Sequence, residues 1–205
     1  MTSTHAMRSI EILVFDGLDE LDIVAPFEIL VSSGYDVKLV ALAQRDEVVG
    51  AHGMAVKPTG VLGSRPDLLI VPGGGWAAKA AVGARGEVQR GVIPAAIADR
   101  HAAGSRIAGV CTGAMLIAAG GLLRGRPAVT HRSALEDLRE LGAVVHPEAR
   151  VVDDGDVLTS GGVTSGIDLA LHLIELDRGR EAALSEAARI EHEFRGPVLR
   201  TGNTG

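Results

Sequence analysis

The only cysteine of the chain, Cys111, has the sequence context of a nucleophile. The apolar run 107–110 leads directly into it, and the helix-forming run 114–119 follows shortly afterwards. A residue on such a strand-to-helix turn is lifted clear of the sheet. The helix N-terminus also favours the thiolate, which is the reactive form. We therefore predict that Cys111 is a catalytic nucleophile, although a lone cysteine is more often a small buried core residue.

Asp22 lies in the apolar sequence 21–25, where a charged carboxylate is costly unless it has a partner. This setting predicts a raised pKa for Asp22. A carboxyl group that titrates near neutral pH could pass a proton to and from a substrate beside the thiol. The alternative interpretation is a helix cap, since Asp19 and Asp22 both lie where the following helix should begin.

The glycines Gly73, Gly74 and Gly75 follow a predicted strand and admit three interpretations. A dinucleotide-type phosphate loop is disfavoured, because no acidic residue stands about 20 positions further on to bind a ribose hydroxyl. An oxyanion-binding loop is favoured, in which backbone N–H groups stabilise a developing negative charge. An ordinary structural turn remains the alternative.

Among the seven histidines, His131 stands out because it follows the short predicted strand 127–130. In contrast, His101, His172 and His192 fall inside helical patterns. Asp168 and His172 have the spacing of metal ligands on one helix face, but two residues do not make a site. We therefore predict no metal site and treat His131 as a candidate substrate-binding residue.

These residues require a sheet that brings the ends of several strands together. Short aliphatic runs predict strands at 10–15, 36–43, 67–71 and 105–110, and patterns of three- and four-residue spacing predict helices at 87–101, 133–141 and 165–176, the last with a serine cap. Asp154 and Gly155 indicate a hairpin within 150–161. The alternation predicts a flavodoxin-like α/β fold, a three-layer sandwich with a mainly parallel sheet and helices on both faces. Ligands bind such sheets at the carboxyl ends of the strands.

Composition excludes several classes of partner. The chain has 205 residues, a formal net charge of −6, and few aromatic residues, which disfavours nucleic-acid binding. A single cysteine cannot form an intramolecular disulfide, and no apolar run reaches the roughly 20 residues of a membrane span. We expect one cytoplasmic domain over residues 1–205, with loose tails at 1–7 and 197–205.

Together these loops resemble the ThiJ/PfpI superfamily, a flavodoxin-like group related to class I glutamine amidotransferases. The resemblance spans nearly the whole chain. It is carried by the acidic Asp22 four positions before Pro26, Pro72 with the following glycines, the run 110–114 around Cys111, Thr130 with His131, and the segment 158–168.

The resemblance implies an elbow cysteine contacted by a carboxylic acid from the first loop, in a site completed at a homodimer interface. Two departures from the best-known branches matter. The acidic position is usually Glu, and here it is Asp22; the protease-like branch places His after the nucleophile, and here it is Thr112. At both positions the chain resembles the isocyanide hydratase branch, and both residues disfavour a peptidase.

The resemblance thus implies that a small electrophile, an organic isocyanide, is hydrated to an N-substituted formamide without metal or organic cofactor. Cys111 would attack the isocyanide carbon, and Asp22 would supply a proton and then activate water. Backbone N–H groups near Gly74 and Thr112 would bind the polar atom, and the Thr112 hydroxyl would orient Asp22 or water. One alternative is a glyoxalase-like or other small-carbonyl activity, favoured by polar anchors around His131. The other is a non-enzymatic redox sensor that acts through oxidation of Cys111.

Overall fold

An eight-stranded sheet forms the centre of the computed structural model, which describes residues 9–194 and 197–201. The strands of this sheet and of two small sheets beside it are β1 (Ser9–Leu13), β2 (Asp36–Ala41), β3 (Val48–Val49), β4 (Ala55–Val56), β5 (Gly60–Val61), β6 (Leu68–Val71), β7 (Arg106–Gly109), β8 (Pro127–Ala128), β9 (Val144–Val145), β10 (Val151–Asp153), β11 (Val157–Ser160) and β12 (Val198–Arg200). The helices are α1 (Glu20–Ser32), α2 (Ala84–Arg90), α3 (Val92–Ala102), α4 (Gly113–Ala119), α5 (Leu135–Glu140), α6 (Ser165–Arg178) and α7 (Arg180–Arg189), and a 3₁₀ turn, Arg132–Ala134, precedes α5.

The central sheet is parallel except for one pair of strands. Its order is β12, β10, β11, β7, β6, β1, β2, β5, and within it β10 and β11 are antiparallel. The strand β6 is completely buried along its length, as expected of a central strand that is covered on both faces. The predicted α/β fold with a mainly parallel sheet is confirmed, and so is the hairpin predicted within 150–161.

The connections between strands place helices on both faces. From β1 the chain passes through α1 to β2, toward one edge of the sheet. From β6 it passes through α2 and α3 to β7, toward the other edge. Because such crossovers are right-handed, connections that run in opposite directions lie on opposite faces. Accordingly, α1, α6 and α7 pack together, and α2, α3 and α4 pack together. The order of the strands reverses between β1 and β6, and ligands bind outside the strand ends at such a point.

One predicted helix is two helices in the structure. The pattern over 87–101 predicts a continuous helix, but Gly91 adopts a left-handed conformation at φ 74° and separates α2 from α3. Glycine tolerates this conformation because it has no Cβ. An amphipathic pattern that continues across a single glycine does not reveal such a break.

Two other details of the prediction differ. Val198–Arg200, predicted to belong to a loose tail, forms the edge strand β12 and pairs with β10 in parallel. Alternate apolar and polar residues are too few in this stretch to signal a strand. The predicted helix cap, Ser165, is instead the first residue of α6, and Thr164 occupies the cap position without a capping hydrogen bond from its side chain to the helix backbone. The predicted tail at 1–7 and residues 202–205 lie outside the described residues.

Within the ranges 9–194 and 197–201, no helix has the length and apolar character that a membrane span would require.

Candidate active site

Cys111 lies on the turn between β7 and α4, with its backbone in the left-handed region at φ 56°. Residues other than glycine rarely adopt this conformation. Two hydrogen bonds fix it: the Cys111 N–H donates to Gly161 O at 3.0 Å, and the Thr130 hydroxyl donates to Cys111 O at 2.9 Å. Packing is so tight behind the turn that a Cβ at Gly113 would overlap Val71 O. The chain therefore forms a sharp elbow at the cysteine.

Asp22, in the first turn of α1, is fully buried. Its Oδ2 accepts a hydrogen bond from the Gly73 N–H at 2.8 Å, whereas no hydrogen bond of standard geometry joins Oδ1 to any described residue. Burial raises the pKa of Asp22 well above its usual value, and the Gly73 N–H and the Cys111 thiol oppose this rise without cancelling it. The proton of the neutral carboxyl group belongs on Oδ1, since Oδ2 already accepts a hydrogen bond.

The helix cap that the sequence left open for Asp22 is provided by Asp19. Its Oδ1 accepts a hydrogen bond from the Leu21 N–H at 3.2 Å at the start of α1. Asp22 thus has no capping role and is directed into the interior, where it approaches the thiol.

Burial also dominates the electrostatics of the thiol. It raises the pKa of Cys111 from 9.0 to about 12, and a negative charge on Asp22 adds to the rise. The backbone N–H groups of Val163 and Thr112 act in the opposite direction as donors to the sulfur. The expectation that the start of α4 makes the thiolate the favoured form is therefore wrong, because desolvation outweighs it. The resting side chain is a neutral thiol.

The glycine loop at the end of β6 holds Asp22 and Thr112 in place. The Gly73 N–H binds Asp22, and the Gly74 N–H donates to the Thr112 hydroxyl at 2.9 Å. A Cβ at Gly73 would overlap Thr112, so the close approach requires glycine. The Thr112 hydroxyl oxygen accepts from the loop and its proton remains available to donate, so its role in orienting Asp22 or water stays a prediction.

This arrangement also changes the predicted oxyanion donors. Two of the three loop amides, those of Gly73 and Gly74, are bound to protein side chains. Among the described residues the Gly75 N–H has no acceptor. Gly75 therefore carries the loop amide that can bind a substrate atom.

His131 lies at the mouth of the same site. Its Nδ1 accepts a hydrogen bond from the Ser133 N–H at 3.2 Å and lies 2.8 Å from the Ser133 hydroxyl oxygen. The ring packs so closely on Gly162 that a Cβ there would overlap it. Burial, and next the charge of Arg132, lower the pKa of His131. A neutral imidazole is therefore favoured at this position.

A small cavity of about 130 Å³ opens over the cysteine. The structure thus brings together the predicted residues Cys111, Thr112, His131, Gly74 and Gly75, with Asp22 and Gly73 in the layer beneath. The residues that line the cavity are Asp19, Gly74, Gly75, Trp76, Ala77, Cys111, Thr112, His131, Ser133 and Val163.

Sequence reasoning missed part of this lining. Trp76 and Ser133 could have been found, because Trp76 directly follows the glycine run and Ser133 lies two residues after His131. Val163 lies in the segment 158–168 that carries the resemblance, but its place beside the sulfur depends on how the segment after β11 folds back. It has a left-handed backbone at φ 37°. A wider depression of about 570 Å³, lined also by Leu21, His52 and Met54, adjoins the cavity through Asp19 and Val163.

The pair with metal-ligand spacing does not converge on a common point. Asp168 binds Arg150 at 3.0 Å and lies 3.3 Å from His192, whereas His172 pairs with Asp153 at 2.8 Å. In the part of the chain that the structure describes, no group of three or more His, Cys, Asp or Glu side chains is placed to hold a metal ion.

An elbow cysteine, a buried first-loop carboxyl group and a glycine loop at one edge of a flavodoxin-like sheet define a class of protein. Residues 8–176 match the model of the DJ-1/PfpI family, and the chain belongs to that family. The predicted membership of the ThiJ/PfpI superfamily is confirmed.

Individual relatives support the same assignment. The chain is 34% identical over 184 residues to an isonitrile hydratase of Pseudomonas putida. These residues cover 88% of this chain and 76% of the relative. It is 25% identical over 184 residues to the Parkinson disease protein 7 homolog of Danio rerio, covering 87% of this chain and 94% of that one. Among solved structures, a ThiJ/PfpI family protein from Pseudomonas syringae has a TM-score of 0.79 and 29% identity, covering 93% of this chain and 77% of the other.

Proposed function

We propose that this protein hydrates organic isocyanides to N-substituted formamides, with Cys111 as the nucleophile. The observation that carries the proposal is the pairing of a neutral thiol with a buried carboxyl group whose pKa is raised. An isocyanide carbon must gain both a nucleophile and a proton, and these two groups supply both. The 34% identity to the isonitrile hydratase of Pseudomonas putida supports the same chemistry.

In the first step, Sγ of Cys111 attacks the isocyanide carbon while Asp22 delivers the proton on its Oδ1 to that carbon. The thiol proton passes to the carboxyl group, which is protonated again when the step ends. One C–S bond and one C–H bond form, and the product is a thioimidate, R–N=CH–S, on Cys111. Both raised pKa values favour this route, because neither group is charged before the attack.

In the second step, water adds to the thioimidate carbon. The water oxygen bonds to the carbon as the Asp22 carboxyl group accepts a proton from the water. The same carboxyl group gives a proton to the thioimidate nitrogen. The tetrahedral adduct, R–NH–CH(OH)–S, then collapses: the C–S bond breaks and the hydroxyl proton passes to the sulfur. The products are the formamide R–NH–CHO and the free thiol, so no proton or electron is left over.

The remaining polar groups stabilise the adduct and the leaving sulfur. The Gly75 N–H can donate to the polar atom that develops charge in the tetrahedral adduct. The N–H groups of Val163 and Thr112 stabilise the sulfur as it leaves, since both act as donors to it. His131, in its neutral form, borders the substituent of the substrate. Neither step requires a metal or an organic cofactor.

The enzyme acts in the cytoplasm as a homodimer under this proposal. The depression beside the cavity is lined in part by exposed apolar side chains: Leu21 is 39% exposed and Met54 41%. A second copy of the chain would bury these side chains and close the depression next to Asp19. Sedimentation at graded protein concentrations measures this association.

The test is a side-by-side assay of purified wild type and Cys111→Ala with an aryl isocyanide and with methylglyoxal. We expect the wild type to release the aryl formamide and Cys111→Ala to release none. Isocyanide turnover that survives Cys111→Ala would refute the mechanism. Turnover of methylglyoxal alone would support the second candidate, a carbonyl-processing enzyme, which the polar pair His131 and Ser133 on the cavity wall favours.

A non-enzymatic redox sensor is the third candidate. Oxidation of a cysteine proceeds through the thiolate, so sensor cysteines have a lowered pKa and are accessible. Burial raises the pKa of Cys111 to about 12 and leaves it 5% exposed. These properties favour an enzyme with an internal proton donor over a sensor.

A further inference from the structure

The single tryptophan of the chain forms one wall of the cavity over Cys111. Trp76 directly follows Gly75, the residue with the free loop amide. The indole Nε1–H of Trp76 donates to Asp137 Oδ2 at 2.5 Å. On another side the guanidinium of Arg85 lies 5.9 Å from the ring centroid, within the range of a cation–π contact. Two side chains from different helices therefore hold the ring in one position.

The frame that holds the indole is fixed to the rest of the site. The loop after Trp76 returns to the sheet through two backbone hydrogen bonds, from Gly83 N–H to Asp16 O at 2.9 Å and from Ala84 N–H to Gly74 O at 2.8 Å. Asp137 lies in α5, a few residues after His131 and Ser133, which line the same cavity. The wall and the polar side of the cavity are thus joined through one hydrogen bond.

The cavity is small, so the position of Trp76 in its wall affects which substituents fit. At about 130 Å³ it is smaller than the roughly 300–1,000 Å³ that drug-sized ligands occupy. A substituent that extends from a carbon bonded to Cys111 leaves this cavity past its wall, in which Trp76 has the largest side chain, or past Asp19 and Val163 into the adjoining depression. The proposed homodimer closes the second route.

Resting on the proposed function, we propose that Trp76 limits the size of the substrate's N-substituent and that Asp137 is the positioning residue that holds the indole in place. The substrate class is then isocyanides with compact N-substituents. A bulky substituent is excluded by overlap with the ring, and steric exclusion of this kind is worth about tenfold or more in rate.

The test uses alkylation of the only cysteine, so it does not depend on isocyanide turnover. Iodoacetamide is the small probe and N-phenyliodoacetamide the bulky one. In both reactions a bond forms between Sγ and the methylene carbon, iodide leaves, and the thiol proton is released. Intact-protein mass spectrometry gives the two rates, and their ratio, bulky to small, is compared between variants.

We expect Trp76→Ala to raise this ratio at least about tenfold. Asp137→Ala should raise it by a smaller factor, because the indole remains but is released. Glu140→Ala, an exposed position on the same helix, should keep the wild-type ratio. A ratio in Trp76→Ala equal to that of the wild type would overturn the proposal; if this variant does not fold, an unchanged ratio in Asp137→Ala overturns it.

A second readout uses the fluorescence of the sole tryptophan. In wild type, alkylation of Cys111 by iodoacetamide should shift the emission of Trp76, since the ring borders the new group, and unchanged emission contradicts the proposal. Failure of the two inferences is distinguishable. A raised alkylation ratio without any isocyanide turnover refutes the proposed function alone, whereas isocyanide turnover with an unchanged ratio refutes the role of Trp76 alone.

Discussion

Replacing Asp22 with asparagine separates its chemistry from its structural role. Asparagine has the shape of a protonated Asp22, and its amide oxygen can accept the hydrogen bond that the Gly73 N–H now donates at 2.8 Å. It cannot deliver a proton to the isocyanide carbon. We therefore expect Asp22→Asn to fold and to lose formamide production by roughly 10²- to 10⁴-fold, the range of general acid–base catalysis.

The pH dependence of stability gives an independent magnitude. Burial raises the pKa of Asp22 in the folded state well above its usual 3.8, so the folded protein binds a proton that the unfolded chain releases. The contribution of Asp22 to the free energy of unfolding must then fall as pH rises from about 4 toward the folded-state pKa, by about 1.4 kcal/mol per pH unit. Asparagine does not titrate, so this contribution disappears and Asp22→Asn gains stability relative to wild type as pH rises.

The assay is urea unfolding of both proteins at a series of pH values, with formamide production measured on the same samples. Asp36→Asn, a change at an exposed position, serves as the control and should keep the wild-type slope. Equal slopes in wild type and Asp22→Asn would mean that Asp22 does not hold a proton in the folded state. Retained activity in Asp22→Asn would show that it is not the proton donor.

Three further changes probe the elbow and the loop. Thr112→Val leaves the Gly74 N–H without its 2.9 Å acceptor and should cost about 1–3 kcal/mol in urea unfolding, whereas Thr112→Ser should retain nearly wild-type stability. Gly113→Ala places a methyl group on a carbonyl oxygen at the end of β6 and should cost about 3 kcal/mol in the same measurement; Gly60→Ala, which has space, should not. Because the pKa of Cys111 rises from 9.0 to about 12 on folding, wild-type stability should decline from about pH 9 upward, and Cys111→Ser should decline less steeply. An equal decline in both proteins would contradict the buried neutral thiol.

The features that could be predicted from sequence are those set by local pattern. An apolar strand that runs into Cys111, followed at once by small residues, predicts the elbow because few other conformations suit that sequence. The apolar neighbours of Asp22 predict its raised pKa, because they indicate that the carboxyl group is buried. The alternation of strands and helices likewise predicts the parallel sheet.

The features that could not be predicted depend on balances or on distant contacts. Burial raises the pKa of Cys111, whereas the start of the following helix lowers it. The sequence does not give the relative size of these two effects. Which loop amide remains free depends on the hydrogen bond between Gly74 and Thr112, which are 38 positions apart. The link between Trp76 and Asp137 spans 61 positions and exists only once the sheet has formed.

The central claim is that hydration proceeds through a covalent adduct on Cys111. The most direct measurement is intact-protein and peptide mass spectrometry of acid-quenched mixtures of wild type with an aryl isocyanide. The mechanism predicts a transient adduct on the peptide containing Cys111, heavier by the full mass of the isocyanide because no group leaves in the first step. Formamide production without any such adduct, at a rate that Cys111→Ala retains, would contradict it.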